Sequence, residues 1–231
     1  MTKKPEYIIV LSAERKDESG RFPNFGPDKK DPSRTIYIGG EVRMQATLKA
    51  AKLYPDAEFV MVGGFDQIGQ ETFSKAQEMA DFVRESFPDL NLKVIDSLPS
   101  TRSNLVALFN ILGGQIQTSN FVLLTSDDRV VRIAEFWKRL KETDYPGIPE
   151  PEFLTVKQLG IKEATAENSP EYLLRLQRER EGIDALRSRN YKNSESERFN
   201  RDCLPNDVDL ETLFTPRELN KMNFRTEIKM R

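Results

Sequence analysis

The sequence predicts an α/β fold: a doubly wound, mainly parallel sheet, three-layered and Rossmann-like, with a C-terminal helical extension. Three observations predict it. Short apolar, β-branched runs recur at Tyr7-Ile8-Ile9-Val10-Leu11, Phe59-Val60-Met61-Val62, Leu92-Lys93-Val94-Ile95 and Phe121-Val122-Leu123-Leu124. Most are continuous rather than alternating, as strands covered on both faces require. Segments with helical spacing separate them, and parallel neighbours need such crossovers.

In order, residues 7–12 read as the first buried strand. Residues 13–38 hold Gly20, Pro23, Gly26, Pro27 and Pro32 and read as a long loop. Residues 41–54 read as a helix, with Val42, Ala46, Ala50 and Leu53 at helical spacing and Pro55-Asp56 ending it. A second strand runs from Phe59 and stops at Gly63-Gly64. Residues 72–86 form an amphipathic helix, with Phe73, Ala76, Met79 and Val83 inward. A third strand covers Leu92 to Ile95. A helix over 102–112 closes at Gly113-Gly114. The fourth strand is Phe121 to Thr125, and a helix follows from Val130 to Leu140.

Pro146, Pro149 and Pro151 mark a boundary. Residues 1–150 therefore form the α/β domain and 151–231 the extension. Phe153 to Val156 reads as an edge strand. Ser169-Pro170-Glu171 is a helix start, with Ser at the cap and Pro in the first turn. The helix runs to about Tyr191, with Leu173, Leu176, Ile183 and Leu186 facing the core. Residues 192–209 read as a loop, and Thr215-Pro216-Arg217-Glu218 starts another short helix. The extension is too polar to fold alone, so it is expected to pack on the core or to join subunits into an oligomer.

Composition bounds function. The chain has 231 residues, 31% of them charged and 38% hydrophobic, with a net charge of −2. That is a globular composition with no global field to recruit nucleic acid. The longest apolar runs fall far short of the roughly 20 residues a spanning helix needs, so no membrane span and a cytoplasmic location are expected. Histidine is absent and Cys203 is the one cysteine. Ser-His-Asp and Cys-His catalysis are thereby excluded, as is a typical structural zinc site, and no metal is expected.

Each buried strand ends in a polar or glycine turn: Ser12-Ala13-Glu14-Arg15, Gly63-Gly64-Phe65-Asp66 and Thr125-Ser126-Asp127-Asp128-Arg129. In a parallel sheet these turns converge on one edge, where such folds bind ligands. Glycine exposes amide donors there, and Ser and Thr add hydroxyls. Arg43, Arg102 and Arg132 fall in the first turns of their helices, where the helix dipole disfavours cations. Arginines placed against that preference point to an anion to hold. The candidate ligand-binding residues are Ser12, Arg43, Gly63, Gly64, Arg102, Asn104, Thr125, Ser126, Arg129 and Arg132. Asp127 is the candidate base, with Asp66, Glu71 and Asp128 as other carboxylates.

Residues 7–140 resemble the YdcF/SanA/ElyC-like family, a bacterial α/β family. The resemblance rests on Ile8-Ile9-Val10-Leu11-Ser12-Ala13 and on Arg43. It continues in Val60-Met61-Val62-Gly63-Gly64, in Ser74-Lys75-Ala76 with Met79, and in Thr101-Arg102-Ser103-Asn104. Thr125-Ser126-Asp127-Asp128-Arg129-Val130-Val131-Arg132 completes it. It implies a link to cell-envelope metabolism and, because one relative binds S-adenosylmethionine, that molecule as a candidate cofactor. The departures are Arg129 for the family's histidine, and Lys75 and Ser103 for two of its glutamates. Three readings stay open. One is a hydrolase or transferase acting on a phosphorylated or nucleotide-like molecule. Another is a binding or regulatory module that holds a small anionic partner without chemistry. A third places the working surface on the helical tail.

Overall fold

Tyr7–Leu11 (β1) is built from residues that all prefer extended backbone, and its side chains alternate between two apolar layers. Ile8 and Val10 pack in one buried cluster, Ile9 and Leu11 in another. The computed structural model describes residues 4–12, 16–17, 19–28, 30–68, 71–161, 169–188 and 209–219. Ala13-Glu14-Arg15, Cys203, the side chains of Asp66 and Glu71, and most of the 192–209 segment lie outside the described residues.

Parallel to β1 on one side runs Glu58–Ile68 (β4), and on the other Phe121–Thr125 (β7). Leu92–Ser97 (β6) pairs in parallel with the outer edge of β4, and Glu152–Thr155 (β8) with the outer edge of β7. The parallel order is thus β6-β4-β1-β7-β8. The chain builds outward from β1 in one direction, then returns to build outward in the other. The strand order reverses between β1 and β7.

Helices cover both faces, giving three layers. Gly40–Leu53 (α1) and Lys75–Ser86 (α2) bury Met44, Ala46, Ala50, Met79 and Val83 against one side of the sheet. Thr101–Ile116 (α3) and Val130–Thr143 (α4) bury Leu105, Leu108, Leu112, Ile133 and Trp137 against the other. Trp137 is fully buried, edge-on to Phe109 at 4.6 Å and stacked on Phe121 at 5.7 Å. Each such side chain stabilises the fold by about 1.5–3 kcal/mol through burial. Side-chain caps start two of these helices, α2 and α3: Ser74 Oγ accepts from Gln77 N at 2.9 Å, and Ser100 Oγ from Ser103 N at 3.0 Å. Among the described residues no helix is long and apolar enough to cross a membrane.

Several expectations are corrected. The expected loop contains an antiparallel hairpin, Phe25–Pro27 (β2) and Thr35–Tyr37 (β3). Gly63-Gly64 does not end β4, which continues to Ile68 and pairs antiparallel with Glu71–Ser74 (β5). The glycines serve close approach instead. A Cβ on Gly63 would sit 2.8 Å from Ala76 N, and one on Gly64 would sit 2.4 Å from Pro99 Cα. Gly113-Gly114 does not close α3 either. The helix runs on because Leu112 and Ile116 on its inner face are both buried, and this outweighs the roughly 1 kcal/mol that a helical glycine costs. Beyond residue 150, β8 belongs to the same sheet as the preceding strands.

The extension packs against the core. Pro170–Arg187 (α5), capped by Ser169 Oγ accepting from Tyr172 N at 3.2 Å, lies against β3 and α4. Its expected inward face is corrected. Leu173 and Leu176 are exposed, while Tyr172, Arg175, Glu179 and Leu186 are buried. Leu210–Leu213 (α6) lies on α3, where the Asn110 amide donates to the carbonyls of Glu211, Thr212 and Phe214 at 2.8, 3.2 and 2.9 Å. Thr215 and Glu218 then form a reciprocal cap, each side chain accepting from the other's backbone N–H.

Candidate functional site

The carboxyl ends of β1, β4, β6 and β7 bring Leu11-Ser12, Gly64, Ser97 and Thr125 to one edge of the sheet. Open α/β sheets bind ligands at this edge, where the strand order reverses. A cavity of about 950 Å³ opens there, within the size range of small-molecule sites. Ser12, Arg43, Gly64, Asn104, Thr125, Arg129 and Arg132 all line it. So do Lys75, Ser100, Thr101, Arg175 and Arg178, none of them among the sequence-derived candidates. The hairpin forms an apolar wall through Phe25, Pro27, Ile36 and Ile38.

The four remaining candidates stand elsewhere or face away. Gly63 lies against the start of α2. Ser126 is buried beneath the single 3-10 turn Asp127–Arg129 that precedes α4. Arg102 is outside the cavity and pairs with Glu218 at 3.1 Å. Asp127 is exposed and accepts from Lys157 N at 3.2 Å, so it does not reach the cavity as a base. The carboxylate turned inward from this turn is Asp128, whose side chain is only 2% exposed.

Arginines in the first turn of a helix demand partners, and each of the three finds one inside the protein. Arg43 is fully buried and donates to three backbone carbonyls: Ser12 at 2.6 Å, Ile38 at 3.0 Å and Gly39 at 3.1 Å. It pins the end of β1 to the start of α1, so its hydrogen bonds are spent on the chain while its charge still faces the cavity. Arg132 donates to Thr101 Oγ1 at 3.1 Å and approaches Glu179 of α5 at 3.0 Å. Arg102 has Glu218, as above. The dipole argument identified three cations that need neutralising, but two of the neutralising anions come from the C-terminal extension.

Arg129 differs. Its Nη2 donates to Ile38 O at 3.3 Å, but its Nε is inaccessible to solvent and has no hydrogen-bond partner among the described residues. Burial, then Arg43 and Arg175 nearby, press the guanidinium well below the ordinary arginine value, with Asp128 opposing and Arg132 adding to the pressure. An arginine nevertheless keeps its proton in proteins. The largest part of that pressure is loss of water, and the part that comes from Arg43, Arg175 and Arg132 is what an anion would relieve. Around Asp128 the balance is the reverse. Burial alone would raise its pKa, but Arg175, which donates to it at 2.9 Å, Arg129 and the Ser126 hydroxyl together hold it at about 2.

The floor of the cavity thus carries four guanidiniums, Arg43, Arg129, Arg132 and Arg175, while the carboxylates that pair with two of them, Asp128 and Glu179, lie outside the lining. Its rim is balanced: Arg178 pairs with Asp28 at 2.6 Å and Lys30 with Glu181 at 2.6 Å. Asn104 orders the neutral side, accepting from Ser97 Oγ at 2.6 Å. No group of three or more Cys, Asp and Glu side chains gathers as a cation site among the described residues. Sequence reading missed Arg175, although a signal was present. Arg175 and Glu179 stand four residues apart on the helix face that also holds Tyr172 and Leu186.

No family model matches the chain, and neither does any curated protein or solved structure.

Proposed function

We propose that this chain holds a small anionic molecule, phosphorylated or nucleotide-like, at the carboxyl edge of a Rossmann-like sheet, as a cytoplasmic binding or regulatory module. The observation that carries this reading is Arg129, a buried cation crowded by three others, with one nitrogen that has no hydrogen-bond partner among the described residues. Arginine suits phosphate because its planar fork matches two oxygens at once. The excess of guanidiniums over carboxylates on the floor favours a dianion such as a phosphate monoester. The positions that resemble the YdcF/SanA/ElyC-like domain, Gly64, Thr101, Asn104, Thr125 and Arg132, border the same cavity, which supports the resemblance as part of the proposal. The link to cell-envelope metabolism rests on that resemblance alone.

Binding without chemistry is favoured over hydrolase or transferase activity by the state of the carboxylates. Asp128 is ionised and locked to Arg175, and Glu179 lies between Arg132 and Arg175. Asp128, held at about 2, is not poised to take and return a proton near neutrality. S-adenosylmethionine is a poor fit, since its sulfonium and ammonium outweigh its one carboxylate before a floor of arginines.

Isothermal titration calorimetry with inorganic phosphate, sugar phosphates and nucleoside monophosphates tests the reading, with R129Q as the variant. The wild type is expected to bind at least one of them, and R129Q to bind it at least about tenfold more weakly, as loss of a charge-assisted contact implies. Absence of binding by the wild type, or equal affinity in R129Q, refutes the reading. Product formation in a parallel turnover assay would replace the binding module with the enzyme.

A further inference from the structure

The helix α5 buries charge beside its apolar side chains: Arg175 and Glu179 lie inward together with Tyr172, Leu174 and Leu186. A helix that merely docks turns its leucines toward the core and its charges toward water. Here Leu173 is 56% exposed and Leu176 is 40% exposed, while the side chains of Arg175 and Glu179 are 11% and 4% exposed. Burying a carboxylate costs several kcal/mol unless opposite charge and hydrogen bonds offset the loss of water. The surface beneath α5 therefore offers Glu179 opposite charge, from Arg132 and Arg175, beside the apolar contacts that hold Leu174 and Leu186.

We propose that α5 is an autoinhibitory strap and that Glu179 is a built-in competitor for the anion subsite. The proposal rests on the anion-pocket reading above and concerns the regulation of that site. Glu179 approaches Arg132 at 3.0 Å and also pairs with Arg175, so its carboxylate sits against the cations that would receive a phosphate. Its hold is weak in one respect. Neither carboxylate oxygen of Glu179 is met by an aligned hydrogen bond among the described residues, so attraction between charges holds the group without the geometry that makes such pairs strong. A phosphate group has more oxygens and a second charge, and it can engage Arg129 as well as Arg132.

The strap is fastened on both sides of the cavity. Toward the hairpin, Arg178 pairs with Asp28 and Glu181 with Lys30, each at 2.6 Å. Toward the sheet, Arg175 pairs with Asp128 at 2.9 Å. Of these pairs Lys30–Glu181 is exposed and contributes only about 0–1 kcal/mol, whereas Asp28 and Asp128 are buried and their pairs hold more strongly. The apolar anchors of α5, Tyr172 edge-on to Tyr37 at 5.3 Å, Leu174 and Leu186, lie outside the lining. A ligand carrying two negative charges competes with Glu179 for the arginines, and its entry shifts α5 toward a displaced state.

Two measurements on the full chain test this. Titration of wild type and E179Q with inorganic phosphate and pyrophosphate should show E179Q binding at least about tenfold more tightly, since the internal competitor is gone while the arginines remain. Hydrogen–deuterium exchange of the wild type, which does not depend on the variant folding, should show faster exchange over 170–187 when pyrophosphate is added, with slower exchange in β1 and β7. If the wild type binds and E179Q binds no more tightly, or if pyrophosphate leaves 170–187 unchanged or protected, the strap is refuted and the anion pocket stands. If neither protein binds either probe, the anion-pocket reading falls as well.

Discussion

Replacing Asp128 by Asn keeps its shape and removes its charge, and the structure sets the cost. The side chain is 2% exposed, so solvent screens it little. Its pKa drops from 3.8 to about 2, because Arg175 and Arg129 outweigh the burial that opposes ionisation. At 1.36 kcal/mol per pKa unit, that shift corresponds to about 2 kcal/mol of stability held by the ionised form. The folded value lies below the unfolded one. The contribution is therefore complete above about pH 4 and is lost as pH falls through about 2. D128N should lower the unfolding free energy by about 2 kcal/mol in urea denaturation at pH 7, with the same deficit at every pH from about 5 to 8. Arg175 keeps Glu179 as a partner, so the larger penalty of a fully orphaned buried cation is not expected. A deficit under about 0.5 kcal/mol, or one that changes across that pH range, would refute the assignment of Asp128 as a buried, permanently charged anchor of the arginine floor.

Two further outcomes follow from the same geometry. G64A places a Cβ 2.4 Å from Pro99 Cα and 2.8 Å from Leu98 C, both in backbone that cannot rotate aside. A loss of about 3 kcal/mol by thermal or urea unfolding is expected, and an unchanged midpoint would show that the 97–99 segment gives way freely. R43M leaves the carbonyls of Ser12 and Gly39 without their guanidinium donor at the junction of β1 and α1, and Ile38 O with Arg129 alone. Its expected cost is about 3–5 kcal/mol, read by urea denaturation, and a cost below about 1 kcal/mol would show that water serves those carbonyls equally well.

The strands and their order of appearance were legible because burial on both faces demands an unbroken apolar run, and such runs cannot be mistaken for solvent-facing chain. The cap residues Ser169 and Thr215 were legible for a local reason as well, since a cap is a bond between residues two or three positions apart. The hairpin at 25–37 was hidden by its short strands, and the continuation of β4 to Ile68 by the usual reading of a glycine pair as a stop. That pair lies in the strand because α2 and Pro99 approach too closely for any side chain. The cations of the site were visible through their misplacement at helix starts. Their partners were not, because Glu179 and Glu218 come from the far end of the chain.

Local chemistry in the sequence was therefore sufficient to set the layered α/β architecture, the edge where polar turns collect and the arginines that strain against their helix dipoles. Only the tertiary structure decided which of those arginines are spent on backbone carbonyls and which are matched by carboxylates of the extension, and that the neighbouring Arg129 has a buried Nε with no hydrogen-bond partner among the described residues. The physical reason is range. Propensity, capping and burial patterns act between near neighbours, whereas the neutralisation of a buried charge depends on whatever the fold brings within a few ångströms, however far away it lies in the chain.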